Sequence, residues 1–333
     1  MSNIESYYKY KKKYELLGKS MPFTYCLIED EDRVCIMEYI PNDEKKRCIE
    51  IPSFVTDIRG SQVNGILMDR GVFSDAKQSL KVINKSKILD YSHMFYGFSG
   101  KELDLSEFEI KTATDLKYMF YNCFSVKKLD LSGFNTSKVT NMAGMFEHCT
   151  ALEELDISSF DTSNVSNLEM MFNHCTALRA LDVSKFNTSN VRSVYAMFGY
   201  CRSLESINIS NFSTDKLSGM NSMFLGCTNI KEINLGSMDT SKVESMEYMF
   251  SDCVKLEKID MSNQKLTNLI EAYGMFMGCE NLKEVILTES SYEMNISKMF
   301  SKCKKLERVV GNKRAILAYE TREFEDELFD DWM

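Results

Sequence analysis

Apolar residues recur along this chain on a fixed beat. The dipeptide Met-Phe ends at Phe95, Phe120, Phe146, Phe172, Phe198, Phe224, Phe250, Phe276 and Phe300, at spacings of 25, then six of 26, then 24. Three residues after each Phe comes Cys, from Cys123 to Cys303, with Phe98 in that place in the first copy. A second phrase, written LDLS, LDIS, LDVS or INIS, starts at Leu103, Leu129, Leu155, Leu181, Ile207, Ile233, Ile259, Val285 and Val309. Nine copies of one period specify a solenoid, in which a coil buries its apolar faces only by stacking on its neighbours.

The copy that starts at Cys149 reads CTALEELDISSFDTSNVSNLEMMFNH. Leu152, Leu155 and Ile157 have the L-x-x-L-x-L spacing of a short strand. Val165, Leu168, Met171, Phe172 and Cys175 then fall at steps of three and four, which predicts a helical return. Asp161, Thr162 and Ser163 stand where they would cap it.

The composite phrase LxxLDLSxFNTSxVxxMxxMFxxC, over residues 90–311, resembles the BspA-like leucine-rich repeats of bacterial surface proteins. The resemblance implies a binding surface or adhesin, in proteins that are usually exported. The expected fold is α/β: a right-handed leucine-rich-repeat solenoid of nine or so coils, one parallel sheet on the concave face, and an N-terminal cap. Residues 1–90 are read as an N-terminal helix and capping region, 91–311 as the solenoid, and 312–333 as an acidic, aromatic C-terminal segment. Within the cap, TYCLIED, RVCIMEYI and CIEIPSFV read as strands, and residues 1–20 as a leading helix.

Charge and composition narrow the function. Lys and Arg number 40 against 49 Asp and Glu, a net charge of −9 that argues against a general nucleic-acid binder. No run approaches the ~18 apolar residues of a membrane span. The first twenty residues lack a signal-peptide core, so a cytoplasmic location is expected, with secretion or surface display by a non-standard route as the alternative.

Stacking turns each repeat position into a row at ~4.8 Å spacing. The row between the two strand apolars is Asp104, Asp130, Asp156, Asp182, Asn208, Asn234 and Asp260, then Ile286 and Val310. It is the candidate partner-binding row. Its carboxylates either present a surface to a cation or basic ligand, or accept hydrogen bonds from Ser132, Ser158 and Ser184. A neighbouring row alternates in sign, Lys127, Glu153, Arg179, Glu205, Lys231, Glu257, Lys283 and Glu307, and reads as a register-fixing network.

The eight repeat cysteines read as buried thiols, and no CxxC spacing suggests a metal. With His93, His148 and His174 the only histidines, and no phosphate loop or nucleophile elbow, no catalytic residue, metal site or cofactor is expected. The tail EFEDELFDDWM sets Phe324, Leu328, Phe329 and Trp332 among acids. It reads either as a cap on the last coil or as a motif that docks a partner. These observations point to a non-enzymatic, monomeric scaffold for a protein partner, adhesin-like or intracellular. An enzyme with activity in the non-repeat segments, or a self-assembling structural protein, is the alternative.

Overall fold

A computed structural model describes residues 88–330 except 237 and 292, residues 72–74, 76, 77 and 80–84, and four strands before them. For those four strands, and for residues 89 and 322–330, the description is of the backbone alone. The leading segment, residues 1–20, lies outside the described residues.

Strands β1 (Phe23–Ile28) and β2 (Arg33–Tyr39) pair antiparallel. Every later strand pairing is parallel. One ladder joins β2, β4 (Gly65–Met68) and β6 (Ile88–Asp90). The other joins β3 (Cys48–Ile51), β5 (Leu80–Asn84) and β7 (Leu103–Asp104). Since β7 is the first marker phrase, strand pairing continues across residue 90 without a break.

The marker phrases supply β8 (Lys128–Asp130), β9 (Glu154–Asp156), β10 (Ser206–Asn208), β11 (Glu232–Asn234), β12 (Lys258–Met261), β13 (Glu284–Leu287) and β14 (Arg308–Val310). Equivalent repeat positions meet in register: Leu129 opposite Leu155, Ile207 opposite Ile233, and Val285 opposite both Ile259 and Val309. Where a single sheet is expected, the strand side is divided into the ladders β3–β5–β7, β8–β9, β10–β11 and β12–β13–β14. The phrase at Leu181 forms no strand. Strands this short hold each other by few backbone bonds, so modest twist between coils interrupts the ladder.

The return is the larger departure from expectation. It contains no helix; residues 117–122 and their equivalents are consecutive turns. Alternate N–H groups divide the work. Those of Leu116, Tyr118, Phe120 and Asn122 donate to the carbonyls of Asn141, Ala143, Met145 and Glu147 in the next coil. Those of Met119, Tyr121 and Cys123 donate back three residues within the turn. Every backbone donor from 118 to 123 is thereby satisfied, as burial demands. The geometry needs two left-handed residues per coil, four apart, for example His93 and Gly97, Tyr118 and Asn122, or His148 and its partner Gly144. Consecutive turns send Met, Phe and Cys inward at steps of three and four, the same signature as a helix. That is why the periodicity misleads.

The core runs from Val72 to Ala318. Its axis is a column of phenylalanines from Phe73 to Phe300, with neighbouring ring centroids 5.1 to 5.9 Å apart and planes within 19° of parallel. Beside it, each repeat cysteine donates its S–H to the Phe carbonyl of a neighbouring coil, as Cys149 does to Phe120 at 3.1 Å. Burial pushes the Cys201 thiol up to about 12. A third buried column is polar. The Thr136 hydroxyl donates to the Asp161 carbonyl at 2.9 Å and accepts the Asp161 N–H at 2.8 Å, and Thr162 and Thr188 repeat the bridge.

The chain ends in α1 (Lys313–Asp330). Asn312, fully buried, caps it: its Oδ1 accepts the Ala315 N–H at 3.0 Å while its Nδ2 donates to the Thr288 carbonyl. Ala315 and Ala318 are buried, and the Tyr319 hydroxyl donates to the Glu307 carbonyl at 3.1 Å. The first turns of α1 therefore cover the last coil. Phe324, Leu328 and Phe329 lie on its backbone farther along, and Trp332 lies outside the described residues.

Candidate functional site

The solenoid exposes two faces, the strand side and the return side. On the strand side the Asp/Asn row stands outward, since alternation sends the flanking Leu residues into the core. Each member is tied down in the same manner. The Asp130 Oδ1 accepts the Ser132 N–H at 3.0 Å, and Asp104, Asp156, Asp182, Asn208, Asn234 and Asp260 each accept from the residue two positions on. This is an Asx turn, which ends the strand and orients the side chain. The serine hydroxyl and N–H hold the carboxyls of Asp104, Asp130, Asp156, Asp182 and Asp260 below the ordinary carboxylate range. Hydrogen bonding by serine, one of the two roles open for this row, is therefore what the structure displays.

The alternating row pairs in twos rather than continuously: Lys127–Glu153 at 2.9 Å, Glu205–Lys231 at 3.3 Å and Glu257–Lys283 at 2.7 Å. Arg179 acts on Glu153 only from farther away. A second charged row, not singled out from the sequence, runs beside it: Lys128–Glu154 at 2.5 Å, then Lys258–Glu284 and Glu284–Arg308 at 2.5 and 3.0 Å. Its periodicity is interrupted at Ala180 and Ser206, which hides it.

The return side holds a constellation that sequence reasoning missed. In its first coils the exposed columns are aromatic, and a recess of about 260 Å³ is lined by His93, Tyr96, Tyr118, Tyr121, Glu147 and Met170. Tyr118 and Tyr121 meet edge to face, centroids 5.5 Å apart at 87°, so their faces form a corner. Tyr96 stacks on Tyr121 at 4.6 Å and His93 tilts against Tyr118 at 5.2 Å. Gly144 is required here, because a Cβ would lie 2.1 Å from the Tyr118 ring. Glu147, only 7% exposed, accepts the Asn173 amide at 3.2 Å, and burial raises its carboxyl above the ordinary range. His148 and His174, beyond the recess, stack at 4.4 Å, and Tyr200 continues the column. The signal available in the sequence was the break in the repeat: Tyr or His replaces the small and polar residues of these columns only locally.

Among the described residues no group of His, Cys, Asp and Glu is arranged to hold a metal ion, and no helix is long and apolar enough to cross a membrane.

A family model described as "Mycoplasma protein of unknown function, DUF285" matches residues 66–177, 114–232 and 200–313. No curated protein matches the chain. Among solved structures, a leucine-rich repeat protein from Bacteroides ovatus is 14% identical, with a TM-score of 0.51 over 90% of this chain and 76% of that one. A leucine-rich cell surface protein from Faecalibacterium prausnitzii is 14% identical, TM-score 0.30, over 92% and 97%. A leucine-rich repeat protein from Eubacterium ventriosum is 15% identical, TM-score 0.36, over 88% and 83%. The Bacteroides structure carries the fold: a β-solenoid with parallel strands and few helices, in keeping with the BspA-like resemblance.

Proposed function

From the premise that the chain belongs to the DUF285 family of repeat proteins, we propose that it is a non-enzymatic scaffold whose strand side binds a protein partner through a basic segment. The observation that carries this reading is the Asp row. Asp104, Asp130, Asp156 and Asp182 are successive, exposed and held ionised by their own turns, so an acidic strip is presented in a fixed direction. Asp104 at the head of the strip pairs with Lys81 at 3.7 Å, but Asp130, Asp156 and Asp182, unlike the flanking rows that neutralise themselves in pairs, have along the strip only like charges or the Asn208 amide as neighbours. Carboxylates ~5 Å apart repel by just under about 1 kcal/mol even in water, and a basic ligand would relieve that repulsion.

The solenoid's last coil is covered by α1, which supports a monomer over end-to-end self-assembly. The thiol ladder, every member an S–H donor, supports work in a reducing compartment, and so an intracellular interaction protein over an adhesin. In this reading the pair β1–β2 closes the N-terminal end and the first turns of α1 close the other.

The structure also provides a clean test. Asn208 and Asn234 make the same turn as their Asp neighbours, so Asp130→Asn, Asp156→Asn and Asp182→Asn together remove charge while keeping the fold. Binding to a lysine-rich peptide should weaken severalfold and lose most of its salt dependence. Unchanged affinity and unchanged salt dependence would exclude the strand side as the binding face.

A further inference from the structure

The recess on the return side has the chemistry of a cation cage, and it lies apart from the strand-side row. Two tyrosine rings set at 87° adjoin the recess, Tyr96 stacked on Tyr121 at 4.6 Å and His148 meeting Tyr121 edge-on at 5.5 Å, and ring faces attract cations through their quadrupole. One of these rings already does so: Lys117 Nζ stands 5.1 Å from the Tyr118 centroid. At the same recess sits Glu147, a buried carboxylate that accepts from the neutral Asn173 amide and has His148 3.9 Å away. A buried carboxylate short of positive charge is costly, and a cation lodged beside it would offset that cost.

The other coils serve as internal controls. At the repeat position of Glu147 they carry Asn173, Gly199, Leu225, Ser251 and Met277. Tyr248 and Tyr273 form a second edge-to-face pair, at 5.2 Å, with Ser251 and Met277 in the place of a carboxylate. Repeat stacking explains the Phe column, present in every coil, and the Cys column, present in every coil from Cys123 on. It does not explain the combination of an aromatic pair with the buried Glu147 carboxylate in one recess.

We propose that Tyr118, Tyr121 and Glu147, with His93, Tyr96 and Met170 around them, bind a quaternary ammonium group. Aromatic walls favour a weakly hydrated, methylated cation over a compact ammonium, which keeps its water more tightly. Met170 supplies an apolar, adaptable contact for the methyl groups. The ligand is a choline-type ammonium, either a soluble molecule or a lipid headgroup.

The test titrates choline, tetramethylammonium and the neutral isostere 3,3-dimethylbutan-1-ol into the full chain, followed by calorimetry and by the ligand methyl resonance. Both cations should saturate, with the methyl signal moved upfield by the rings, and the neutral isostere should bind about tenfold more weakly or worse. Glu147→Gln should weaken choline about tenfold, Tyr121→Leu should abolish binding, and Tyr248→Leu should leave it unchanged, with melting curves verifying that each variant folds. Sedimentation with phosphatidylcholine vesicles separates the two sources. Choline-competed co-sedimentation assigns the site to the headgroup, and choline binding without it assigns the site to a soluble ligand. Equal binding of the neutral isostere, an unaffected Glu147→Gln protein, or no saturable choline binding to the folded chain would overturn the proposal.

Discussion

The two sides of each coil are built on different physics. On the return side the backbone is continuous: four N–H groups of a coil reach four carbonyls of the next, with the Phe stack and the thiol column behind them. On the strand side the ladder breaks into pieces, Leu155 and Leu181 are only partly buried, and exposed ion pairs such as Lys127–Glu153 bridge neighbouring coils. The comparison teaches that backbone continuity between coils is carried by the Met-Phe turn, while the marker phrase contributes buried side chains such as Leu129, Ile207 and Val285 on a broken ladder.

If that division is right, the protein should be far more fragile in alkali than in mild acid. Burial raises the thiols of Cys123, Cys175, Cys201, Cys227, Cys253 and Cys279. The unfolded chain releases those protons near pH 8.5 while the folded chain keeps them, so the stabilisation is whole below that pH and drains as pH rises toward about 12, the value for Cys201. Melting temperature should therefore fall steadily as pH rises above roughly 9. The strand-side aspartates have the opposite sign: lowered when folded, they stabilise above about pH 4 and lose that as pH falls further. They are exposed, so the acid limb should be shallow. A flat alkaline limb would mean that the thiols are not sealed.

Truncation separates the sides next. Phe172→Ala empties a fully buried place in the stack and should cost about 3–5 kcal/mol in denaturant unfolding. Leu155→Ala, at a partly buried strand position, should cost clearly less. Equal costs would erase the distinction. Backbone strain gives a smaller effect of the other sign. Ala196 is held at φ 48°, and Ala196→Gly should raise stability by up to about 1 kcal/mol, the relief of left-handed strain exceeding the entropy added to the unfolded chain. The smallest change belongs to the charged row. Arg179→Glu, placed between Glu153 and Glu205, should lower the melting temperature in low salt, and the loss should fade near 1 M salt, where the screening length is about 3 Å.

How much of this was legible beforehand differs by feature. The Asp row could be placed on the exterior from alternation alone, and its serine partners two residues on were readable as turn chemistry. The α1 helix is hard to read from the sequence, because acids and aromatics dominate the pattern past residue 320, whereas its docking residues are Ala315, Ala318 and Tyr319. The aromatic recess went unread because its members are spread over four coils, from His93 to Met170, and each looks ordinary in its own repeat.

The sequence by itself determined the coil length, the stacking and the identity of the core, because apolar residues recurring every 26 positions can be buried together only if each coil lies on the last. Tertiary structure alone decided the rest. Steps of three and four suit a helix and a run of turns alike, and the choice fell to turns because they let alternate N–H groups reach the neighbouring coil. Whether short strands join into one sheet depends on twist accumulated between coils. Whether two tyrosines offer a corner to a cation depends on rotamers set by Gly144 one coil away.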